Sequence, residues 1–151
     1  MIAVIQRVTS ALVRVGGNIT GKIDDGLLVF LGVGRGDDLL DVEYLIRKIP
    51  NLRLFKDKQD KMNASLIDRG GKILLVSQFT LYGECRRGLR PSFDRAADPI
   101  LARELFEAVR NGLAQRGLDV QTGIFGAIMQ VELVNDGPVT ILLESKKGNE
   151  T

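Results

Sequence analysis

Two short stretches carry the side chains best placed to act on a substrate. Ser77-Gln78-Phe79-Thr80-Leu81 sets two hydroxyls and a carboxamide where the apolar run Lys72 to Val76 should stop. Asn135-Asp136-Gly137-Pro138 interrupts two apolar runs, the second being Val139 to Leu143. Asn, Asp and Gly tolerate turn conformations, while Pro fixes φ and removes a backbone donor. Local pattern alone reads the first stretch as strand-end capping and the second as a hairpin turn. The chain contains no histidine. That removes the usual near-neutral general base, every Ser-His or Cys-His pair and the commonest metal ligand. Any chemistry must come from hydroxyls, backbone amides and the substrate itself.

Composition narrows the setting. A chain of 151 residues that is 44% hydrophobic is expected to form one soluble domain, over 1–145, followed by a polar tail at 146–151. A single cysteine, Cys85, cannot form an internal disulfide and favours a reducing compartment; it reads as an ordinary free thiol. No run of about 18 apolar residues is available to span a membrane, and the start lacks a signal-type pattern, so a cytoplasmic location is expected. The formal charge of +2 does not announce nucleic-acid binding. Arg86, Arg87, Arg90 and Arg95 nevertheless fall within ten residues opposed there only by Asp94, a segment that reads equally as a solvated loop or a phosphate contact.

The elements that must position these groups follow from periodicity. Ile2 to Val8 and Ala11 to Val15 read as strands, with Gly16-Gly17-Asn18 turning the chain into Ile19 to Ile23. Leu27 to Val33 is an apolar run of strand length and should be central. Asp37 and Asp38 are candidate caps for a helix whose Val42, Leu45, Ile46 and Ile49 share a face and which Pro50 ends. Leu52 to Phe55 reads as a short strand and Lys56 to Lys61 as a loop. Asp98 and Pro99 start a second helix with the stripe Leu101, Leu105, Val109 and Leu113, closed by Gly117. Asp119 to Thr122 then leads to an alternating strand with Ala127, Met129, Val131 and Leu133 on one face and Gln130 and Glu132 on the other. Helices layered on strands give an α/β class.

In order and spacing, the pattern Ser77-Gln78 with Leu81 and the pattern Asn135, Gly137-Pro138, Thr140 resemble the D-aminoacyl-tRNA deacylase family. Met1 to Val8, Arg90-Pro91-Ser92-Phe93 and Gly123 to Met129 extend the resemblance over nearly the whole chain. It implies a three-layer α/β/β fold of mixed and antiparallel sheets with two main helices, in a homodimer. It implies a cis Gly137-Pro138 bond in a turn inserted into the partner's site, with Arg7 beside the turn and Phe125 and Met129 close to the site. Arg86, Arg87 and Arg90 would contact tRNA, and no cofactor or metal is expected. One departure is the run Arg86-Arg87-Gly88-Leu89-Arg90 where relatives more often carry Arg-Lys-Gly. Charge is kept, and the fine geometry of phosphate contacts changes.

The activity so implied is hydrolysis of the ester joining a D-amino acid, or glycine mischarged on tRNA(Ala), to the terminal adenosine of tRNA. The α-ammonium and the vicinal ribose hydroxyl already activate this ester. Amides of Phe79 and Thr80 are the candidate donors to the tetrahedral oxyanion, with the Thr80 hydroxyl orienting rather than covalent. Ser77 and Gln78 would hold the loop or the adenosine. Gly137-Pro138 would form a rigid wall against an L side chain, braced by Asn135 and Thr140. Two other readings stand beside this one: a tRNA-binding module without chemistry, and an editing deacylase acting on an L-amino acid mischarged on tRNA.

Overall fold

A computed structural model describes residues 1–146; of the expected tail, 147–151 lie outside the described residues. The longest elements are two strands at the chain's ends, β1 (Ile2–Val15) and β8 (Gln130–Glu144), paired antiparallel from Ile2↔Glu144 to Arg14↔Gln130. Between them run β2 (Asn18–Ile23), β3 (Gly26–Gly32), α1 (Leu39–Lys48), the two-stranded flap β4 (Phe55–Lys56) and β5 (Met62–Ala64), the single turn α2 (Leu66–Arg69), β6 (Lys72–Ser77), α3 (Pro99–Gln115) and β7 (Asp119–Thr122). The main sheet has the order β2-β1-β3-β6-β7, with β8 on the other edge of β1; β3, β6 and β7 are mutually parallel and the remaining pairs antiparallel.

Alternation sorts the central strands into two cores, as expected for apolar runs covered on both faces. Leu27, Val29 and Leu31 of β3, with Ile73 and Leu75 of β6, pack under Val42 and Leu45 of α1 and Leu105, Phe106 and Val109 of α3. Leu28, Leu74 and Val76 point the other way, onto Val8, Ala11 and Val13 of β1 and Ile23 of β2. The long strands pass between the layers. Ala3 and Ile5 of β1 and Val139, Ile141 and Leu143 of β8 belong to the helix-side core, whereas Val13 and Val131 belong to the other. The result is the three-layer α/β/β arrangement.

Local expectations change at several points. Ile2 to Val15 is one strand, because a bulge between Val8 and Ser10 bends β1 without ending its pairing. Asn135 to Pro138 does not reverse the chain: both flanks stay on β1, making β8 a single strand with an excursion in it. Leu52 to Phe55 contributes only Phe55 to β4, since its partner β5 spans just Met62–Ala64. Ala127 and Met129 lie before β8, which begins at Gln130, rather than in the strand.

Both long helices start as their caps dictate. Asp38 accepts from the Leu40 amide (2.9 Å) while Asp41 returns a bond from the Asp38 amide (2.9 Å), a capping box. Asp37 is not a cap: it is buried, accepting from the Gly34 amide at 2.6 Å and pairing with the Met1 amino group at 3.0 Å. Asp98 caps α3 through the amides of Ile100 and Leu101 at 3.0 and 3.1 Å, and Gly117, at φ 81°, closes it. Among the described residues no helix is long and apolar enough to cross a membrane.

Candidate active site

Parallel strands β3, β6 and β7 end on the same side, and the crevice beyond the carboxyl ends of such strands is where α/β proteins bind ligands. Here it is a cavity of about 410 Å³. Leu31 and Val33 from the end of β3, Val76 from β6 and Phe106 from α3 make an apolar floor, and Ser77, Gln78 and Phe79 form one rim. The chain after β7 supplies the opposite rim through Phe125 and Met129, the two residues that the family resemblance implied near the site. Sequence reasoning missed three of the lining residues: Pro99 read as a helix start, Val33 as the end of a central strand, and Phe106 was not singled out, because a residue at the open end of an apolar layer has the same composition and period as one at its middle.

The polar rim is shaped by the way β6 terminates. Gln78 keeps the ladder for one more bond, its amide donating to Leu31 O at 2.8 Å, and the chain then turns into a 3-10 helix over Phe79–Tyr82. The leading N–H groups of a helix have no partner within it. Leu81 and Gly83 donate back to Gln78 O and Thr80 O at 3.3 and 2.9 Å. The Phe79 and Thr80 amides, by contrast, have no acceptor among the described residues. The Gln78 carboxamide donates to the Thr80 hydroxyl, which is exposed, and Phe79 stands edge-on to Phe93 at 5.1 Å. Tyr82 anchors the turn from below, its hydroxyl donating to buried Asp37 at 3.3 Å; burial and that carboxylate push the phenol's pKa well up. A Cβ on Gly34 would lie 2.6 Å from the Tyr82 ring, so only glycine admits this anchor.

The second motif lies elsewhere. Gln6 pairs Thr140 and Val8 pairs Asn135, so Asp136, Gly137, Pro138 and Val139 all stand opposite the single residue Arg7. The excursion sits at the corner where β1 and β8 pass from one layer to the other, and its Gly137-Pro138 bond is cis. Asn135 closes it like a staple: its Oδ1 accepts from the Val139 amide at 2.8 Å, and its Nδ2 donates to Val139 O at 3.1 Å and Thr140 Oγ1 at 3.2 Å. Gln6 adds a bond to the same Thr140 hydroxyl at 3.1 Å. Arg7, 7% exposed, holds the far side, donating to Asp136 O at 2.9 Å and Leu54 O at 2.7 Å.

A single chain does not bring the two motifs together. Register aligns Arg7 with Leu27 and Leu27 with Ile73, which precedes Ser77 by four residues, and β8 is three strands from β6. At ~4.8 Å per strand and ~3.3 Å per residue, the excursion is about 20 Å from Ser77. The cavity beside Gly137 is a separate one, bounded by Arg7, Phe55, Lys56, Arg69 and Asp136.

The basic segment follows the 3-10 helix as an exposed loop. Its arginines are not equivalent. Arg86 closes a fork on Glu84 (Nε to Oε1 2.9 Å, Nη2 to Oε2 2.6 Å), and these bonds, with one from its own amide, hold the Glu84 carboxyl down at about 2. Glu84 therefore joins Asp94 in opposing the cluster. Arg87 and Arg90 extend into solvent.

A family model described as D-Tyr-tRNA(Tyr) deacylase matches residues 4–144. A protein of Thermosipho africanus named D-aminoacyl-tRNA deacylase is 57% identical over 97% of this chain and 99% of its own. One of the same name from Clostridioides difficile is 56% identical with the same coverage. Among solved structures, one titled c-Myc DNA Unwinding Element Binding Protein superposes with a TM-score of 0.92 at 41% identity, covering 97% of this chain and 100% of that one. A probable eukaryotic D-amino acid tRNA deacylase, 16% identical, shares the fold with a TM-score of 0.76 over 94% of this chain and 97% of its own. With a model matched from β1 to the end of β8 and relatives this similar along their whole length, the chain belongs to the D-Tyr-tRNA(Tyr) deacylase family, the hydrolases named D-aminoacyl-tRNA deacylases.

Proposed function

We propose that this chain hydrolyses the ester of D-aminoacyl-tRNA, and of glycine mischarged on tRNA(Ala), by presenting unpaired backbone amides to a substrate that is already reactive. The observation that carries the reading is the pair of Phe79 and Thr80 N–H groups, without an acceptor among the described residues at the rim of the apolar cavity. The terminal adenosine enters that cavity between Phe125, Met129 and Gln78. Water adds to the ester carbonyl, the two amides receive the oxyanion, and the bond from the carbonyl carbon to the ribose oxygen then breaks. The water's proton passes through the vicinal ribose hydroxyl to the departing ribose oxygen. A well-placed donor of this kind is worth about 3 to 4 kcal/mol of barrier. Thr80 Oγ1, engaged by Gln78, orients the turn and forms no covalent bond.

Discrimination falls to Gly137-Pro138. Exchanging D for L swaps hydrogen and side chain at the α-carbon, so a rigid carbonyl against that hydrogen admits D-residues and glycine and clashes with an L side chain. The bracing by Asn135, Thr140 and Arg7 supports such a role. Because the excursion is remote from Ser77 in its own chain, the reading requires a second copy, related by an isologous two-fold contact, that inserts its turn into this cavity. Arg87 and Arg90 contact the phosphates of the same tRNA. Residues 1–145 act as one domain, in the cytoplasm where charged tRNA is found.

Deacylation of D-tyrosyl-, L-tyrosyl- and glycyl-tRNA, with sedimentation of the enzyme at assay concentration, tests these statements together. D- and glycyl-esters decaying faster with protein, L-ester unchanged, and a dimer in solution are expected. Decay of no ester would leave only a tRNA-binding role, preferential L-ester cleavage would reverse the chiral assignment, and a fully active monomer would remove insertion.

A further inference from the structure

A second depression opens beside the main cavity. About 520 Å³ in volume, it is lined by Pro99, Ile100, Arg103 and Glu104 of α3 with Phe125 and Gly126, and it shares Pro99, Phe125 and Gly126 with the main cavity. Phe125 is thus a partition, backed by Phe106 at 5.8 Å and covered on its outer side by the Arg103 guanidinium at 5.2 Å. The packing of α3 accounts for Ala102, Leu105, Phe106 and Val109 but not for Ile100, which is 82% exposed. Of the carboxylates in the depression, Glu107 is engaged by Arg110 at 2.9 Å, which leaves Arg103 and Glu104 as the charges on offer.

We propose that this depression is a subsite for the penultimate nucleotide of the substrate's acceptor end, a cytidylate. The inference rests on the reading above that the terminal adenosine occupies the main cavity. A strand leaving that cavity over the Phe125 partition delivers its next phosphate to Arg103 and lays its next base on the apolar surface of Ile100 and Pro99. The Glu104 carboxylate accepts from an exocyclic amine, which cytosine carries and uracil lacks. An apolar face, a cation and a lone acceptor together suit a stacked amino-pyrimidine with its phosphate.

The test uses nonhydrolysable D-tyrosyl amides of adenosine, cytidylyl-adenosine and uridylyl-adenosine, with binding measured across a salt series. The wild type is expected to bind the cytidylyl probe about tenfold more tightly than the adenosine probe, the scale of one stacked base. Arg103→Gln should remove that gain, leave the adenosine probe unchanged, and lower the slope of log affinity against log salt by about 0.7, the increment for one phosphate on a single strand. Glu104→Ala should erase the preference for the cytidylyl over the uridylyl probe. Equal wild-type affinity for the adenosine and cytidylyl probes would overturn the subsite. So would an Arg103→Gln loss that is equal on both, which marks an arginine that only props Phe125, or an unchanged salt slope. Binding does not depend on turnover: an enzyme that keeps the Arg103-dependent gain yet cleaves no ester would refute the proposed activity and leave the subsite standing.

Discussion

Asn135→Ala tests the preorganised wall at its most local point. The side chain makes three hydrogen bonds, two of them to the partly buried backbone of Val139, at 2.8 and 3.1 Å, and a third of 3.2 Å to Thr140. Each backbone bond contributes about 0.5 to 1.5 kcal/mol net, so alanine removes about 1 to 3 kcal/mol from the closed excursion. Little else changes, because the four residues it closes are an insertion opposite Arg7 and both flanks keep their ladder bonds to β1. A loss near 2 kcal/mol lowers the closed population relative to open forms by about thirtyfold, at ~1.4 kcal/mol per decade. It lowers the melting temperature by only about 4 to 8 °C in a chain of this size. D-tyrosyl-tRNA deacylation should therefore fall by about tenfold or more, with L-ester cleavage rising relative to it, in a protein that remains folded. Asn135→Asp, which keeps the acceptor for Val139 and loses the donor, should fall between. Wild-type rate and selectivity in Asn135→Ala, with melting shifted as expected, would show that the excursion is not the chiral wall.

Further outcomes follow from the same geometry. Phe79→Pro and Phe79→Ala both remove the ring, but only proline removes the amide, at the first position of the 3-10 helix where proline is tolerated; single-turnover rates should be about 10² to 10³ lower for proline than for alanine, while Thr80→Ala keeps substantial activity. A folded, inert Thr80→Ala would restore threonine as the nucleophile. In Gly137→Ala the new Cβ meets Val139 N at 2.8 Å and Arg7 Nη2 at 3.2 Å with φ at 149°, so D-ester cleavage should drop sharply while circular dichroism stays native. Arg87→Gln and Arg90→Gln should each weaken tRNA binding and flatten its salt dependence, whereas Arg86→Gln, its charge already on Glu84, should do so less. Asp41, although buried, is held below its usual pKa of 3.8 by bonds from Ser145, the Asp38 amide and Lys146. Its depressed value means stability present above the unfolded pKa and lost as pH falls through the folded one; Asp41→Asn should lower the melting temperature at pH 7 and make the decline below about pH 4 shallower.

The elements whose cause is local could be read directly. The double-faced strands β3 and β6 follow from unbroken apolar runs, and α1 and α3 from Asp38, Asp98 and stripes at helical spacing. The single-turn α2 was equally legible through its Ser65–Asp68 capping box and Gly70 at φ 61°, and went unread because four residues carry no period. The family and its two motifs were also present in the chain's own residues. What the sequence could not decide is where those motifs stand. Asn-Asp-Gly-Pro serves a hairpin and a bulged excursion equally well, and only the long-range pairing of β8 with β1 on both flanks selected the excursion. The unpaired Phe79 and Thr80 amides arise from a ladder that ends at Gln78 because β3 ends beside it. The cavity floor of Leu31, Val33, Val76 and Phe106 is apolar packing like the rest of the core, opened into a cavity by the way three parallel strands stop together. Periodicity reports which face a residue takes; the length of the neighbouring strand, set by contacts far away in sequence, decides whether that face is covered or left open to a substrate.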